Sequence, residues 1–246
     1  MIGVAALAAL AAATSCQDPA SPLQCPDLVI APATALRAER TPSGRRVVLR
    51  MANRIVNVGA GPLEFVGRRV SSREMVAKQV LTDAAGARYR VTTGGELYYT
   101  SVPSRGGSYW KFQNAARFEL WTMDATGKRE TLVRVGPKLN YCFRDLERAR
   151  FDSEVEHQPT FGACNQRAAK REVTLGTSVG WADVYPASYP GNWIDVTGLS
   201  GCFAVVQRVD PERHVIESDE TNNVSERIVR LPYRPGLPSG CPGASV

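Results

Sequence analysis

The sequence predicts an all-β protein, an antiparallel β-sandwich of the immunoglobulin-like kind with long decorating loops. Three observations lead there. Runs rich in β-branched residues recur between turn signals, 16 prolines and 21 glycines punctuate 246 residues, and no stretch sustains the apolar period of a long amphipathic helix. Residues 45–58, RRVVLRMANRIVNV, read as a strand that stops at Gly59-Ala60-Gly61-Pro62, and Leu63-Glu64-Phe65-Val66 resumes the pattern. Two hairpins follow. Residues 77–83 return through Ala84-Ala85-Gly86 into Tyr89-Arg90-Val91, and residues 117–124 return through Ala125-Thr126-Gly127 into residues 131–135. The glycines supply the positive φ that such loops need. Residues 143–150, FRDLERAR, read as one short helix, and Trp193-Ile194-Asp195-Val196-Thr197 alternates like a strand with one buried face.

With 43% hydrophobic and 22% charged residues, the chain can bury one sizeable core, so a single domain is expected over residues 25–246. Thirty Lys and Arg against 24 Asp and Glu give +6, and the pI is near 9.1. The charges are scattered as doublets such as Arg45-Arg46 and Arg68-Arg69, so they read as a solvated face and not as a nucleic-acid footprint. Residues 1–15 read as an export signal: the apolar part, residues 2–14, is too short to span a bilayer and ends at Ala13-Thr14-Ser15-Cys16. That ending resembles a bacterial lipobox, with a lipid anchor on Cys16 and residues 16–24 as a tether; a plain cleaved signal is the alternative. Both place the protein in or beyond a bacterial cell envelope.

Six cysteines in an exported chain without a Cys-x-x-Cys pair suggest disulfides and not zinc. Cys142 with Cys164 is the favoured pair, because they bracket a polar segment whose closure is worth roughly 3 kcal/mol. Cys202 with Cys241 is a second candidate, and a lipid on Cys16 would leave one cysteine over. The two histidines, His157 and His214, are far apart, so a hydrolytic triad is not expected. Gly94-Gly95 and Gly106-Gly107 lack the strand-to-helix setting of a phosphate loop.

The most distinctive stretch is 180–198, GWADVYPASYPGNWIDVTG. Asp183 and Tyr185 stand two apart, so an extended backbone points them to one side. The run Asp183-x-Tyr185, then Trp193-Ile194-Asp195-Val196-Thr197, then Gly201-Cys202-Phe203, then Glu217-Ser218-Asp219-Glu220-Thr221-Asn222-Asn223 resembles the lysyl oxidase family in order and spacing. Cys25-Pro26-Asp27-Leu28-Val29, residues 110–120 and the surroundings of Lys138 resemble it too.

The resemblance implies oxidative deamination of primary amines, such as peptide-borne lysine, by copper and a lysyl tyrosylquinone built from a lysine and a tyrosine of the chain. Lys138 in Lys138-Leu139-Asn140-Tyr141-Cys142-Phe143 matches the family's lysine, and Tyr185 matches its tyrosine. Asp183 falls where a carboxylate would take the substrate's α-proton. The copper ligands do not follow. Where the family carries alternating histidines, this chain reads Gly107-Ser108-Tyr109-Trp110-Lys111-Phe112 ahead of Ala116-Arg117-Phe118-Glu119-Leu120. Copper(II) prefers neutral nitrogen donors, and a lysine must first lose a proton at an ordinary pKa of about 10.4. A degenerate site is therefore expected, with Lys138 and Tyr185 unmodified and Lys111 standing in for part of the metal's charge beside Asp183.

The acidic loop crowds oxygen donors into one turn, which suits calcium. By resemblance the ligands are Asp27, the Leu28 carbonyl, Glu217, Asp219, Asn222 and Asn223; the alternative is a turn capped by its own asparagines. Residues 216–223 also resemble the calcium loops of bacterial adhesion domains, so a calcium-stabilised binding or adhesion module is the second functional reading. The oligomeric state is not legible.

Overall fold

A computed structural model describes residues 15–102, 107–138, 140–150, 155–236 and 240–243; the expected signal lies almost wholly outside them. The strands, in chain order, are β1 (Leu23–Gln24), β2 (Leu28–Ile30), β3 (Thr34–Arg40), β4 (Val47–Asn57), β5 (Leu63–Arg69), β6 (Glu74–Asp83), β7 (Arg88–Val102) and β8 (Gly107–Phe112). There follow β9 (Ala116–Met123), β10 (Arg129–Val135), β11 (Glu147–Arg148), β12 (Glu172–Thr177), β13 (Trp181–Tyr185), β14 (Trp193–Asp195), β15 (Gly201–Val209) and β16 (Val224–Leu231). No helix occurs among the described residues, and every pairing is antiparallel, as the sequence predicts.

One sheet has the order β12-β5-β6-β7-β8, with β1 on β6, and a second runs β10-β9-β15-β16. The third is built on β4, which pairs with β13, β14, β2 and β3 at different points along its length. β4 can carry four partners because it is eleven residues long and its inward positions Leu49, Met51 and Ile55 are apolar. Those side chains pack with Phe65, Trp110, Phe112, Phe118, Tyr141 and Phe143 into one core. Phe112 is its hinge point, with ring centroids 4.3 Å from Phe65 and 5.7 Å from Phe143. Each such side chain contributes about 1.5–3 kcal/mol by leaving water. Both expected hairpins form, as β6–β7 and β9–β10.

Two expectations are corrected. Residues 143–150 are extended and not helical: Leu146 N–H donates to Ala182 O at 3.0 Å and Ala149 N–H to Gly180 O at 2.7 Å, so the backbone finds partners on β13 instead of four residues back. Asp145 fixes that path, because its buried carboxylate accepts from the N–H groups of Thr160, Phe161 and Ser178 and from the Ser178 hydroxyl. The stretch 16–24 is not a free tether either. Cys16 is buried and bonded to Cys25, and β1 lies on β6 with Leu23 opposite Asp83. A sulfur bonded to Cys25 has no valence left for a lipid thioether, so this bridge and a lipid anchor on Cys16 exclude each other. The pairs Cys142–Cys164 and Cys202–Cys241 form as expected.

Candidate functional site

Asp183 and Tyr185 sit on β13, opposite Ile55 and Asn53 of β4, and both are buried on the same side of the strand. Lys138 reaches them from the segment after β10. A turn comes in above it: Tyr189 N–H donates to Pro186 O at 2.8 Å, and Gly191 has φ +86°. A Cβ on Gly191 would lie 3.2 Å from the Lys138 Cβ, so glycine lets the turn close on the lysine.

The amine of Lys138 ends in a cage of ring faces. Its Nζ is 3.6 Å from the Tyr141 centroid, 3.9 Å from that of Tyr185 and 4.6 Å from that of Tyr189, and it donates to Asn140 O at 3.1 Å. The three rings stand edge to face, Tyr141 on Tyr185 at 4.8 Å and Tyr185 on Tyr189 at 4.7 Å. Burial holds the amine well below the ordinary lysine range; the charge of Asp183 opposes this and that of Lys111 adds to it. The ring faces also favour the cation. Asp183 is fully buried, and burial pushes its carboxyl up to about 8, with Lys138, Arg144 and the Tyr185 hydroxyl pulling the other way. Neither Asp183 oxygen completes a hydrogen bond of good geometry, so Tyr185 acts on it only as a nearby dipole. Burial and Asp183 together raise the phenols of Tyr141 and Tyr185 well above their usual range.

β8 forms the adjoining wall. Its main chain is clasped to the lysine's segment by two hydrogen bonds, Phe112 N–H to Tyr141 O at 2.7 Å and Tyr141 N–H to Phe112 O at 3.0 Å. Tyr109 is hydrogen-bonded through its hydroxyl to that of Tyr189, and Lys111 Nζ lies 4.7 Å from the Tyr109 ring centroid. The expected meeting of Lys111 with Asp183 does not occur: the cations acting on Asp183 are Lys138 and Arg144. Lys111 lies instead by the Tyr109 ring, and its charge acts on Lys138.

The donor set does not suit copper. The slots on β8 offer a glycine, a phenol and an amine, and neither imidazole lines the cavity beside them. His157 Nδ1 faces Arg148 at 3.2 Å, and His214 lies against Gly94 with Glu212 3.8 Å from its Nδ1.

The acidic loop closes on the start of the chain, as its sequence suggests. Asn222 Nδ2 donates to Asp27 Oδ1 at 2.8 Å, Asn223 Nδ2 to Glu217 Oε1 at 2.7 Å, and Leu28 N–H to Glu217 Oε2 at 2.7 Å. Asp219 is turned to its own Thr221 and faces water. Burial pushes the Glu217 carboxyl up to about 8, and Glu217 can meet Asp210 and Glu220 within 4.8 Å. The Oδ1 atoms of Asn222 and Asn223 are buried without a hydrogen-bond partner.

Sequence reasoning found Lys138, Asp183 and Tyr185 but missed Tyr141 and Tyr189, which complete the cage. Their signal was present: each tyrosine follows a site residue within one turn, Tyr141 three after Lys138 and Tyr189 four after Tyr185. Trp181, two residues before Asp183 on β13, is buried with its indole N–H donating to Glu156 O at 3.1 Å.

A comparison with curated proteins gives no match. Residues 101–234, more than half of the 246, match the model of the lysyl oxidase family, and they contain β8, Lys138, β13 and the acidic loop. The matched span and the antiparallel all-β fold together establish that the chain belongs to the lysyl oxidase family.

Proposed function

We propose that this is an exported protein in which the family's amine-oxidising site has been retired while its framework is kept. One observation carries the reading: β8 presents Tyr109 and Lys111 beside the caged lysine, and an ammonium in a metal slot repels the ion that would build the quinone. Lys138 and Tyr185 then remain an ordinary amine and phenol, and their contact serves packing. Three disulfides support export, since such bridges persist in oxidising compartments. The expected outcome is purified protein without stoichiometric copper, no peroxide from primary amines including peptide lysine, and separate Lys138 and Tyr185 peptides in mass spectra. Stoichiometric copper, or a Lys138–Tyr185 crosslinked peptide, overturns the reading.

A calcium ion held by the acidic loop is compatible with this and with the second reading, a binding or adhesion module. Two orphaned buried oxygens, Asn222 Oδ1 and Asn223 Oδ1, next to Glu217 and Asp27, favour it, because calcium takes six to eight oxygen ligands. Asp27, Glu217, Asp219, Asn222, Asn223 and the Leu28 carbonyl would hold the ion and tie β2 to the loop before β16. Chelation is expected to lower the melting temperature and added calcium to restore it; a melting temperature indifferent to both refutes the ion.

A further inference from the structure

The chain has five lysines, at positions 78, 111, 128, 138 and 170. Lys78, Lys128 and Lys170 are exposed, whereas Lys111 and Lys138 are buried, and both buried amines line one cavity of about 440 Å³. That volume suits a small organic ligand. Lys138 is satisfied by its ring cage and the Asn140 carbonyl. Lys111 is not. It is 8% exposed, has the face of Tyr109 as a neighbour, and is repelled by Lys138. No carboxylate lies within ion-pair distance of it among the described residues. Burial pulls its amine below the ordinary lysine range, and a counter-charge arriving in the cavity would offset the cost of keeping it charged. The polar atoms around it are of the matching kind. Thr100, directly across from Tyr109 on β7, has a hydroxyl without a partner, and Gln113 and Asn140 bring amides to the same cavity.

We propose that this cavity binds a small carboxylate, with the Lys111 ammonium as its counter-charge and the Thr100 hydroxyl and neighbouring amides as donors to the second oxygen. The inference deepens the retired-oxidase reading and rests on it, since Lys111 is taken as a cation and not as a metal ligand. Exchanging a metal for an ammonium converts a place for a dication and a substrate amine into a place for an anion. The carboxylate belongs either to a free small acid or to the C-terminus of a peptide, and the two are separated by experiment.

The test is calorimetric titration of the full disulfide-bonded protein at fixed ionic strength with butyrate, tri-alanine, tri-alanine amide and butylamine. Binding is expected for butyrate or tri-alanine and not for the amide or the amine, and the tighter of the two acids identifies the source. Lys111→Met is expected to weaken the acid at least about tenfold, the loss of one charge-assisted hydrogen bond. Lys128→Met should change nothing. Binding of neither acid, equal binding of acid and amide, or full affinity in Lys111→Met overturns the proposal; should Lys111→Met fail to fold, Lys111→Gln and the acid-amide comparison decide it. Copper content measured on the same sample tests the retired site separately: copper-free protein that ignores both acids sinks this inference alone.

Discussion

Removing Lys138 tests how the buried site is held together. Its amine gains about 1 kcal/mol from each of three ring faces at 3.6 to 4.6 Å, and about 2 kcal/mol from the bond to Asn140 O. Those gains roughly match the several kcal/mol spent on burying it. By itself, then, Lys138→Met would be near neutral. What makes it costly is Asp183, fully buried with neither oxygen hydrogen-bonded and dependent on Lys138 and Arg144 for counter-charge. Leaving such a charge unpaired costs about 3–5 kcal/mol once it is fully ionised, which for a carboxyl raised to about 8 means well above that pH. In an Asp183→Asn background the same substitution should cost less, giving a coupling of about 1 kcal/mol in a double-mutant cycle at pH 9, one unit above the carboxyl's value. Guanidinium unfolding of the four proteins at pH 9 measures it, and the coupling should shrink at pH 7, where the raised carboxyl keeps its proton.

The pH dependence has a defined sign. The Asp183 carboxyl is raised from 3.8 to about 8, so the folded chain keeps a proton that the unfolded chain releases; this contribution is full below pH 3.8 and fades as pH rises through about 8. Asp183→Asn should flatten that decline, and Lys138→Met should extend it above pH 8. Lys138, held below 10.5, adds the reverse slope between its lowered value and 10.5, which Lys138→Met also deletes. Additive single-mutant costs, within about 0.5 kcal/mol, would refute the coupling. An unchanged decline between pH 4 and 8 in Asp183→Asn would refute the buried carboxyl.

Three further outcomes are expected. Replacing both Cys142 and Cys164 by alanine should lower stability by about 3 kcal/mol, and replacing Cys202 and Cys241, which close a longer loop of 39 residues against 22, by slightly more; calorimetry showing no loss for either contradicts the bridges. Gly61→Ala should cost about 1–3 kcal/mol and expose residues 16–24 to protease, because its Cβ would stand 2.0 Å from the Gln24 carbonyl oxygen. Intact mass with thiol counting should find Cys16 and Cys25 joined and no acyl group; an acylated Cys16 with a free Cys25 thiol contradicts the bridge.

What the sequence made legible follows from how local the signal was. β4 and the two hairpins were readable because alternation and turn residues act within a few positions. Asp183 and Tyr185 were readable as neighbours because a strand repeats every two residues. Residues 143–150 misled because their helical spacing is overridden by partners far along the chain: Asp145 gathers N–H groups from residues 160, 161 and 178. The cage as an assembly went unread although its tyrosines lie near Lys138 and Tyr185 in sequence, since their rings meet the amine only when two loops fold over it. Lys111 was misplaced beside Asp183 because spacing along the chain does not say which ring a side chain packs on, here that of Tyr109.

The paired amide contacts between Phe112 and Tyr141 involve only main-chain atoms, and no exchange of one non-proline side chain for another removes them. Heredity can therefore rewrite what projects into the hollow without pulling its two walls apart. A hollow framed in this way keeps its shape whichever side chains line it.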